Sequence, residues 1–560
     1  MEQMHVFLKI MKDFIRRHKY FLILIGIWIL SLLLRIYHLG TLPFSLMDDE
    51  VLSGYVGRFI LQNGVDLYGN NFPLLYFDKF GDYYIIGPMY LAGLSTFIFG
   101  VTSFAVRFPV ALFGSLIVFP VYYFTQTIFS NKKISLLAAL FIAIVPWHVT
   151  LSRSSTEGII GSTVFLSGIV MILAYIKNPK KLLFCLGSLL LFSSYFIYHP
   201  FRMYSPLALL PVPLLFPSLW IWKKEKNMPQ FASIVALIVL FFGFTFYISS
   251  TRWGQGRFEQ TSIFSPLARV EGRIQEQIYN MDGNRIFEAR LFHNKIIGYG
   301  REFATQYLSY FSPVFLFMQT GAENRYDMPD QGLVYLTYLF FLIAAVIPIK
   351  NKSHISKPHL LYYYYLLAIS PIPSALTYLG SPNVHRALFL IVLLVIPVAY
   401  GAYKILFFRY GRLIFSVLGI VLFCEFLYFW HQYSVQSDVH NALRRNDGQK
   451  ELVEYLQIND AKYDRIYLPS EGTMSLYLLF YTNNFDSKLV GTFNKGTRLD
   501  MDSLGKYIFT DSSCPTNDMK FDQGKILIVN KYDCTIPSKF RKVTSIKGRH
   551  FLLGFDIYTL

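Results

Sequence analysis

The amino-acid sequence predicts a polytopic α-helical membrane protein with a small C-terminal α/β domain. Three observations lead to this prediction. Hydrophobic residues make up 53% of the 560 residues, and charged residues only 16%. Apolar stretches recur along residues 20–433, each near the roughly 20 residues that one crossing of a bilayer requires. Residues 434–560 are more polar and alternate helix-like with strand-like patterns, which is typical of a small α/β domain.

About 11 membrane-spanning helices are predicted within residues 1–433, which we interpret as the transmembrane domain. The predicted spans are 20–37, 105–128, 134–151, 157–176, 181–198, 202–222, 230–250, 333–350, 358–378, 386–403 and 411–433. In the tail, helices are predicted at 451–458 and 473–481. Strands are predicted there at 465–468, 525–529 and 555–559.

A further apolar stretch, at 83–101, decides the predicted orientation. If it crossed the bilayer, three basic clusters would face outward, against the tendency of Lys and Arg to stay inside. These clusters lie at 132–133, 177–181 and 223–224. We therefore interpret 83–101 as an interfacial helix. The N-terminus is then inside, loops 38–104 and 251–332 with their interfacial helices are outside, and so is the tail from residue 434.

The composition also bounds the partners and the cysteine chemistry. A net charge of +17 is explained by inward-facing Lys and Arg and suits a polyanionic lipid head group rather than nucleic acid. No C-x-x-C motif or Cys/His ligand spacing occurs, so no zinc site is expected. Cys514 and Cys534 could form a disulfide in an extracytoplasmic tail, but the sequence leaves their pairing open.

The predicted topology places most of the unusual charges of the membrane part on one face. Three consecutive acids, Asp48, Asp49 and Glu50, follow the first span directly. Basic and acidic residues stand at the mouths of other spans on the same side. These residues are Lys79, Arg107, Arg153, Glu157, His199, Arg202, Arg301, Glu323, Arg325, His385 and Arg386. A functional site on the outer face follows from this arrangement.

The residue types indicate a group transfer. One carboxylate could accept a proton from an acceptor hydroxyl as general base. Arg and Lys could hold an anionic leaving group and stabilise its developing charge, while neighbouring spans bind a lipid tail. The donor would be a sugar on a polyprenyl phosphate, because nucleotide sugars are not expected outside the cytoplasm. The acceptor, whether glycan, lipid or protein, stays open.

Each of these residues also has a structural interpretation. Lys79 could lie at the interface with its charge in water. Arg107 could anchor a span, and Arg153 and Glu157 could pair at i, i+4. The remaining His and Arg candidates could simply cap or anchor helix ends.

Four stretches resemble the GT-C class of membrane glycosyltransferases, and within it glycosyltransferase family 39, which includes protein O-mannosyltransferases and aminoarabinose transferases. MDDEVLSGYVGRFILQNG is similar to the acidic motif of the family, with Asp49-Glu50 on its Asp-Glu pair. DKFGDYYIIGPMYL keeps the family lysine at Lys79 but has Phe80-Gly81 in place of its prolines. FGVTSFAVRFPVALFGSLIV and VPWHVTLSRSSTEG resemble two later segments, with Arg107, Arg153 and Glu157 on family positions.

The resemblance implies a GT-C fold and an inverting transfer from a polyprenyl-phosphate sugar, by a hexosyl- or pentosyltransferase of the cytoplasmic membrane. Asp49 is implied as the base, with Asp48 and Glu50 as rivals. The resemblance implies that Lys79, Arg107, Arg153 and Arg386 contact the donor phosphate or shape the cavity. Together with other residues of the same predicted face, the candidate substrate-binding residues are Lys79, Arg107, Arg153, Glu157, His199, Arg202, His385 and Arg386. No metal site and no cofactor are expected.

Two alternatives remain open. A lipid-linked-sugar flippase or transporter would carry charges near the middle of its spans and show symmetric halves. A metal-dependent enzyme of the oligosaccharyltransferase type would need a second acidic site, for which Asp78, Asp82 and Glu323 are candidates.

Overall fold

The computed structural model describes residues 2–79, 81–216, 228–280, 285–320, 328, 330–348, 355–378, 380–436, 439, 445–470, 473–494, 501–521, 523–531, 534–548 and 554–560. Part of each of the predicted spans 202–222 and 333–350 lies outside these residues, as do Glu323 and Arg325.

The region up to residue 436 is built almost entirely of helices, joined to one short hairpin. The helices of its first half are α1 (Glu2–Ile36), α2 (Asp48–Asn63), α3 (Gly87–Phe99), α4 (Ser103–Leu116), α5 (Val118–Phe129), α6 (Lys132–Ile144), α7 (Pro146–Ser152), α8 (Glu157–Lys177), α9 (Lys181–Ser194), α10 (Phe201–Leu209), α11 (Val212–Leu215) and α12 (Met228–Ser250). Those of its second half are α13 (Arg252–Thr261), α14 (Val270–Tyr279), α15 (Ile286–Phe292), α16 (Lys295–Ser309), α17 (Pro313–Phe317), α18 (Thr337–Val346), α19 (Lys357–Ile369), α20 (Ile372–Ala375), α21 (Leu388–Ile405) and α22 (Gly411–His431). The hairpin pairs β1 (Phe77–Lys79) with β2 (Asp82–Tyr84).

Every predicted span coincides at least partly with a helix, but the helices differ in length. Within the described residues, six helical segments are long and apolar enough to cross a membrane. They are Arg17–Ile36, Ser103–Phe129, Glu157–Lys177, Met228–Ser250, Leu388–Ile405 and Gly411–Gln436. A seventh is obtained if α6 and α7, which meet at 56°, form one broken span. Several apolar helices confirm a multi-pass membrane protein, whereas about 11 crossings stays a prediction.

Proline explains the break between α6 and α7. Val145, which precedes Pro146, has extended backbone angles, because the proline ring disfavours a helical conformation in the residue before it. The predicted continuous span 134–151 is therefore bent at this point.

The stretch 83–101, predicted as one interfacial helix, contains the last two residues of strand β2 and the whole of helix α3. Helix α3 packs very closely against α2. A Cβ atom at Gly57 would lie 1.8 Å from the carbonyl oxygen of Met89, and one at Gly93 would lie 2.3 Å from the backbone of Gly57. Only residues without a side chain permit this approach. This close contact holds α2, whose first residues are the three acids, against α3.

The tail forms a small mixed sheet with helices, as predicted. Its helices are α23 (Gln449–Asn459), α24 (Met474–Tyr481) and α25 (Pro515–Asp518), and its strands are β3 (Arg465–Pro469), β4 (Ser503–Leu504), β5 (Tyr507–Thr510), β6 (Ile526–Lys531), β7 (Arg541–Lys547) and β8 (Gly554–Thr559). The strand order is β4-β5-β3-β6-β8-β7, with β3 parallel to both β5 and β6. A disulfide joins Cys514 to Cys534.

The tail shares a hydrophobic core with α2. Tyr55 of α2 stacks on Phe485 with ring centroids 4.9 Å apart, and the Tyr477 hydroxyl donates to the carbonyl of Leu46 at 2.7 Å. The amide of Gly491 donates to the carbonyl of Leu67. The first loop and the tail therefore form one packed unit around the helix that carries the acids.

Candidate active site

The three acids occupy the first turn of α2, which begins at Asp48. Carboxylates are favourable there because the helix dipole places partial positive charge at its N-terminus. Glu50 also accepts a hydrogen bond from the backbone amide of Met47 at 3.0 Å. Successive helix residues point about 100° apart, so the three side chains enter different surroundings.

Glu50 lies in a buried ion cluster. Its side chain is 1% exposed, and its carboxylate contacts Arg107 at 2.8 Å and Arg445 at 3.2 Å. The amide of Ser155 donates to the same carboxylate. Burial alone would raise the pKa of Glu50, but Arg107 and Arg445 outweigh it and hold the pKa below its ordinary value. The carboxylate is therefore kept ionised inside the protein.

Arg107 ties this cluster to the loop after α1. Its guanidinium donates to Glu50 and to the carbonyls of Leu39, Pro43 and Ser45 at 3.2, 2.7 and 2.6 Å. Arg445, from the segment before the tail sheet, donates from Nε to the carbonyl of Phe44 at 3.0 Å. One buried carboxylate thus connects the first loop, helix α4 and the tail.

Asp49 has a different environment, centred on Lys79 and Tyr84. The Lys79 ammonium lies 2.5 Å from Asp49 and 3.1 Å from Asp48, and the Tyr84 hydroxyl donates to Asp49 at 2.9 Å. Hairpin β1–β2 supplies both partners. Burial would lower the pKa of Lys79, but Asp49, Tyr84 and Asp48 together raise it, so the lysine stays charged. The Asp49 side chain remains 26% exposed.

A polar cavity of about 500 Å³ opens beside Asp49. Carboxylates, guanidinium groups and imidazoles meet in its wall. Among the residues that line it are Asp49, Ser53, Asp82, Tyr83, Tyr84, Ser155, Glu157, Tyr198, His199, Arg257, Gln260, Asn383, His385 and Arg386. The structure thus brings together five of the residues predicted from sequence: Asp49, Glu157, His199, His385 and Arg386.

The two histidines and Arg386 are held by their neighbours. Nε2 of His199 lies 3.3 Å from the carbonyl of Tyr83, and His385 stacks on Tyr198 with centroids 5.2 Å apart. Nη1 of Arg386 donates to the Thr377 hydroxyl at 2.5 Å. Burial, and then the charges of Arg202 and Arg257, lower the pKa of His199 well below its ordinary value, so its imidazole is neutral at neutral pH.

Helix α13, which follows the α12 span directly, covers the hairpin side of this cavity. Arg257 forms an ion pair with Asp82, and the Gln260 amide donates to the carbonyl of Gly81 at 2.7 Å. Arg257, Tyr84 and Arg445 were not predicted as site residues from the sequence. No local sequence pattern marks these three residues, because each contacts a charged residue that is distant in sequence.

Four of the eight predicted substrate-binding residues, Lys79, Arg107, Arg153 and Arg202, are not among the described residues that line the cavity. Lys79 and Arg107 contact the acids as described. Arg153 donates to the carbonyls of Leu34, Tyr37 and Leu42 and to the Tyr433 hydroxyl. Arg202 donates to the carbonyl of Tyr195 and to the Tyr76 hydroxyl. These contacts join helix ends to one another.

Asp78 and Asp82, the described candidates for a second, metal-binding acidic site, have other partners. Asp78 accepts from the amide of Gly81 at 2.7 Å, and Asp82 pairs with Arg257. Across the described ranges, no group of three or more His, Cys, Asp or Glu residues has the arrangement to hold a metal ion.

The fold and the cavity together define a class: a multi-pass helical membrane protein with a carboxylate- and cation-lined polar cavity beside its spans. Residues 86–244 match the family of dolichyl-phosphate-mannose-protein mannosyltransferases. This match covers two of the four motifs quoted above and part of a third. The match confirms the predicted resemblance to GT-C membrane glycosyltransferases over these residues.

Two solved structures are also similar to this chain. They are the aminoarabinose transferase ArnT from Cupriavidus metallidurans in the apo state, with 12% identity and a TM-score of 0.39, and the same protein bound to undecaprenyl phosphate, with 12% identity and a TM-score of 0.41. Each alignment covers 96% of this chain and 97% of the other. No curated protein sequence matches the chain.

Proposed function

We propose that this protein transfers a sugar from a polyprenyl-phosphate donor to an acceptor hydroxyl at the outer face of the cytoplasmic membrane, with inversion at the anomeric carbon. The family match indicates a transferase. The observation that carries the finer proposal is the cavity, in which Asp49 and the cations Arg257 and Arg386 line one space.

Asp49 is the base in this proposal. Of the three adjacent acids, Glu50 is buried and paired with two arginines, and Asp49 lines the cavity. A carboxylate takes the proton of the acceptor hydroxyl as its oxygen bonds to the anomeric carbon. Lys79 and Tyr84, both within 2.9 Å of Asp49, position that carboxylate. They are positioning residues, as are Arg107 and Arg153.

Arg386, Arg257 and His385 bind the donor phosphate in this proposal. The bond between the anomeric carbon and the phosphate oxygen breaks as the new bond forms, and the leaving group departs as polyprenyl phosphate. Guanidinium groups suit this role because they bind phosphate oxygens through paired, charge-assisted hydrogen bonds. Glu157, His199 and Asn383 line the same cavity and contact the sugar hydroxyls in this proposal.

An outer location is supported by the tail. The Cys514–Cys534 disulfide belongs to an oxidising compartment, and the tail packs on the helix that carries Asp49. The tail, α2 and the cavity would then share one side of the membrane.

The test is sugar transfer by the purified protein from a panel of polyprenyl-phosphate monosaccharides to candidate acceptors. Asp49→Asn is compared with Asp48→Asn, which makes the same change of charge next to the same lysine. We expect Asp49→Asn to lose about 10²–10⁴-fold in rate and Asp48→Asn to keep most of it. Equal losses would remove Asp49 as the base.

A chelator series in the same assay addresses the metal-dependent alternative. Transfer that persists in chelator supports the proposal, and transfer restored only by added divalent metal supports the oligosaccharyltransferase-like enzyme. Movement of the donor across vesicles without any transfer product would support a flippase and overturn the proposal.

A further inference from the structure

Asp82 is an acid of the cavity wall to which the proposed reaction gives no role. Its residue lines the cavity together with Asp49 and Glu157. Its carboxylate is paired with the guanidinium of Arg257, one of the groups that bind the donor phosphate in the proposal above. Carboxylates and phosphates both bind to the N–H donors of a guanidinium. Asp82 therefore occupies a group that the donor needs.

The turn between β1 and β2 sets the position of Asp82. The strand register places Asp82 opposite Lys79. Gly81, just before it, has a φ of 95°, a conformation that glycine adopts without steric cost. The Gly81 amide donates to the carboxylate of Asp78 at 2.7 Å. A defined hairpin therefore carries Asp82 to the cavity wall.

The hairpin does not depend on this ion pair for its contact with helix α13. The rings of Trp253 and Tyr83 meet edge to face, with centroids 5.1 Å apart. A Cβ atom at Gly256 would lie 2.5 Å from the Tyr83 ring, so the helix backbone packs directly on the hairpin. We therefore expect the hairpin and α13 to stay together when Arg257 changes its partner.

The ion pair is accessible enough to be exchanged. The side chain of Arg257 is 33% exposed and that of Asp82 is 42% exposed, whereas the Glu50–Arg107 pair is fully buried. Partly exposed ion pairs contribute little to stability, so a phosphate that enters the cavity can displace the carboxylate. The pair then serves as a reversible contact rather than as a structural one.

The charge of the leaving group gives this exchange a use. A phosphate monoester carries a charge of about −1.5 to −2 at neutral pH, which is more than the phosphodiester of the donor carries. The cations of the cavity therefore bind the lipid phosphate more tightly after transfer than before it. An internal carboxylate that competes for one of these cations favours release of the product.

We infer that Asp82 competes with the lipid phosphate for Arg257, and that it pairs with the guanidinium again as polyprenyl phosphate leaves. Asp82 is a positioning residue that acts through Arg257 and touches none of the reacting atoms. This inference rests on the proposed function, in which Arg257 binds the phosphate.

Titration of undecaprenyl phosphate into the full-length, detergent-solubilised protein tests the inference. We expect Asp82→Asn to bind this lipid about two- to fivefold more tightly than the parent, the factor that corresponds to a partly exposed ion pair. Asp82→Glu keeps the charge and should bind as the parent does. Asp78→Asn removes a charge from the same hairpin, and its amide oxygen can still accept from Gly81, so it is the matched control. Melting temperatures show that the compared variants are folded.

A double-mutant cycle with Arg257→Gln separates the possible outcomes. Tighter binding of Asp82→Asn that disappears in the Arg257→Gln background supports the inference. Tighter binding that persists there would overturn it in favour of general repulsion by Asp82. Weaker or unchanged binding of Asp82→Asn would also overturn it, and the proposed function would stand. Binding by Arg257→Gln that equals the parent's would overturn both the inference and the assignment of Arg257 to the phosphate.

Discussion

Glu50 and Asp49 are neighbours in sequence and opposites in structure. Glu50 is buried between Arg107 and Arg445, whereas Asp49 faces a polar cavity next to Lys79 and Tyr84. The Glu50 carboxylate holds three parts of the chain together, and the Asp49 carboxylate lines the cavity. Adjacent acids of one motif can therefore have different roles: Glu50 fixes the start of α2, and Asp49 is held at a defined place in the cavity wall.

The largest effect is expected for Glu50→Gln, which breaks the structural half of this comparison. Removing the carboxylate leaves two buried guanidinium groups without their counter-charge, at a cost of about 3–5 kcal/mol in the free energy of unfolding. Thermal unfolding in detergent measures the change. Asp48→Asn, whose carboxylate is partly exposed, should change it by less than about 1 kcal/mol. A Glu50→Gln protein as stable as Asp48→Asn would show that the cluster does not hold the fold.

Arg445, which precedes the tail sheet, pairs with Glu50, so its substitution tests whether the Glu50 cluster anchors the tail. Arg445→Met should destabilise the protein by about 3 kcal/mol and loosen the tail, which limited proteolysis would detect as earlier cleavage between membrane part and tail. Arg445→Lys keeps the charge, so its stability should lie between that of the parent and that of Arg445→Met. Lys539→Met, in a loop of the tail, is the control. Unchanged proteolysis in Arg445→Met would place the anchoring of the tail elsewhere.

Substitution of Arg386 tests whether the cavity beside Asp49 binds the donor phosphate. Arg386→Gln should weaken binding of undecaprenyl phosphate about 10–100-fold, the loss expected for one charge-assisted hydrogen bond of about 1.5–3 kcal/mol. Binding is measured by titration of the lipid into the detergent-solubilised protein. Arg301→Gln makes the same change on an exposed helix outside the cavity and should bind as the parent does. If both variants bind equally well, the cavity does not hold the phosphate through Arg386.

The smallest effect is a pH dependence from His199, at the cavity wall. Its pKa is lowered in the folded protein, so the unfolded chain binds more protons below its ordinary pKa of 6.5. Stability is therefore lost as the pH falls below about 6.5, by up to about 1.4 kcal/mol per pH unit. Melting temperatures at pH 7.5 and 5.5 should differ less in His199→Gln than in the parent. An equal difference in both proteins would assign the pH dependence to other groups.

Local patterns anticipated much of the fold because they depend on neighbours in sequence. The tail strands at 465–469, 526–531 and 554–559 agree with the predicted 465–468, 525–529 and 555–559 within two residues, since strand patterns are local. The span at 134–151 was less well predicted: the helix breaks before Pro146. Helix α19 ends at Ile369, before the predicted end at 378, because Pro371 has no backbone N–H with which to continue the helix; the short helix α20 begins directly after it.

For the site, the sequence supplied the acids and the cavity residues Glu157, His199, His385 and Arg386, but not their assignment. The sequence did not distinguish the three acids as candidates for the base, because which side of α2 is buried and which lines a cavity depends on the segments packed around the helix. It grouped Arg107 and Arg153 with the substrate-binding residues, and the structure surrounds both with backbone carbonyls.

The sequence alone was enough to predict a multi-pass membrane protein, because apolar spans need a bilayer, and its motifs predicted the resemblance to membrane glycosyltransferases that the family match at 86–244 confirms. The tertiary structure was needed to show that Glu50 is buried and that Asp49 lines the cavity. It was also needed to show that Arg257 pairs with Asp82 of the hairpin and that Arg445 pairs with Glu50. The physical reason is that burial and charge pairing are sums over contacts between distant segments. Arg445 and Glu50 stand 395 residues apart in the chain and 3.2 Å apart in the fold.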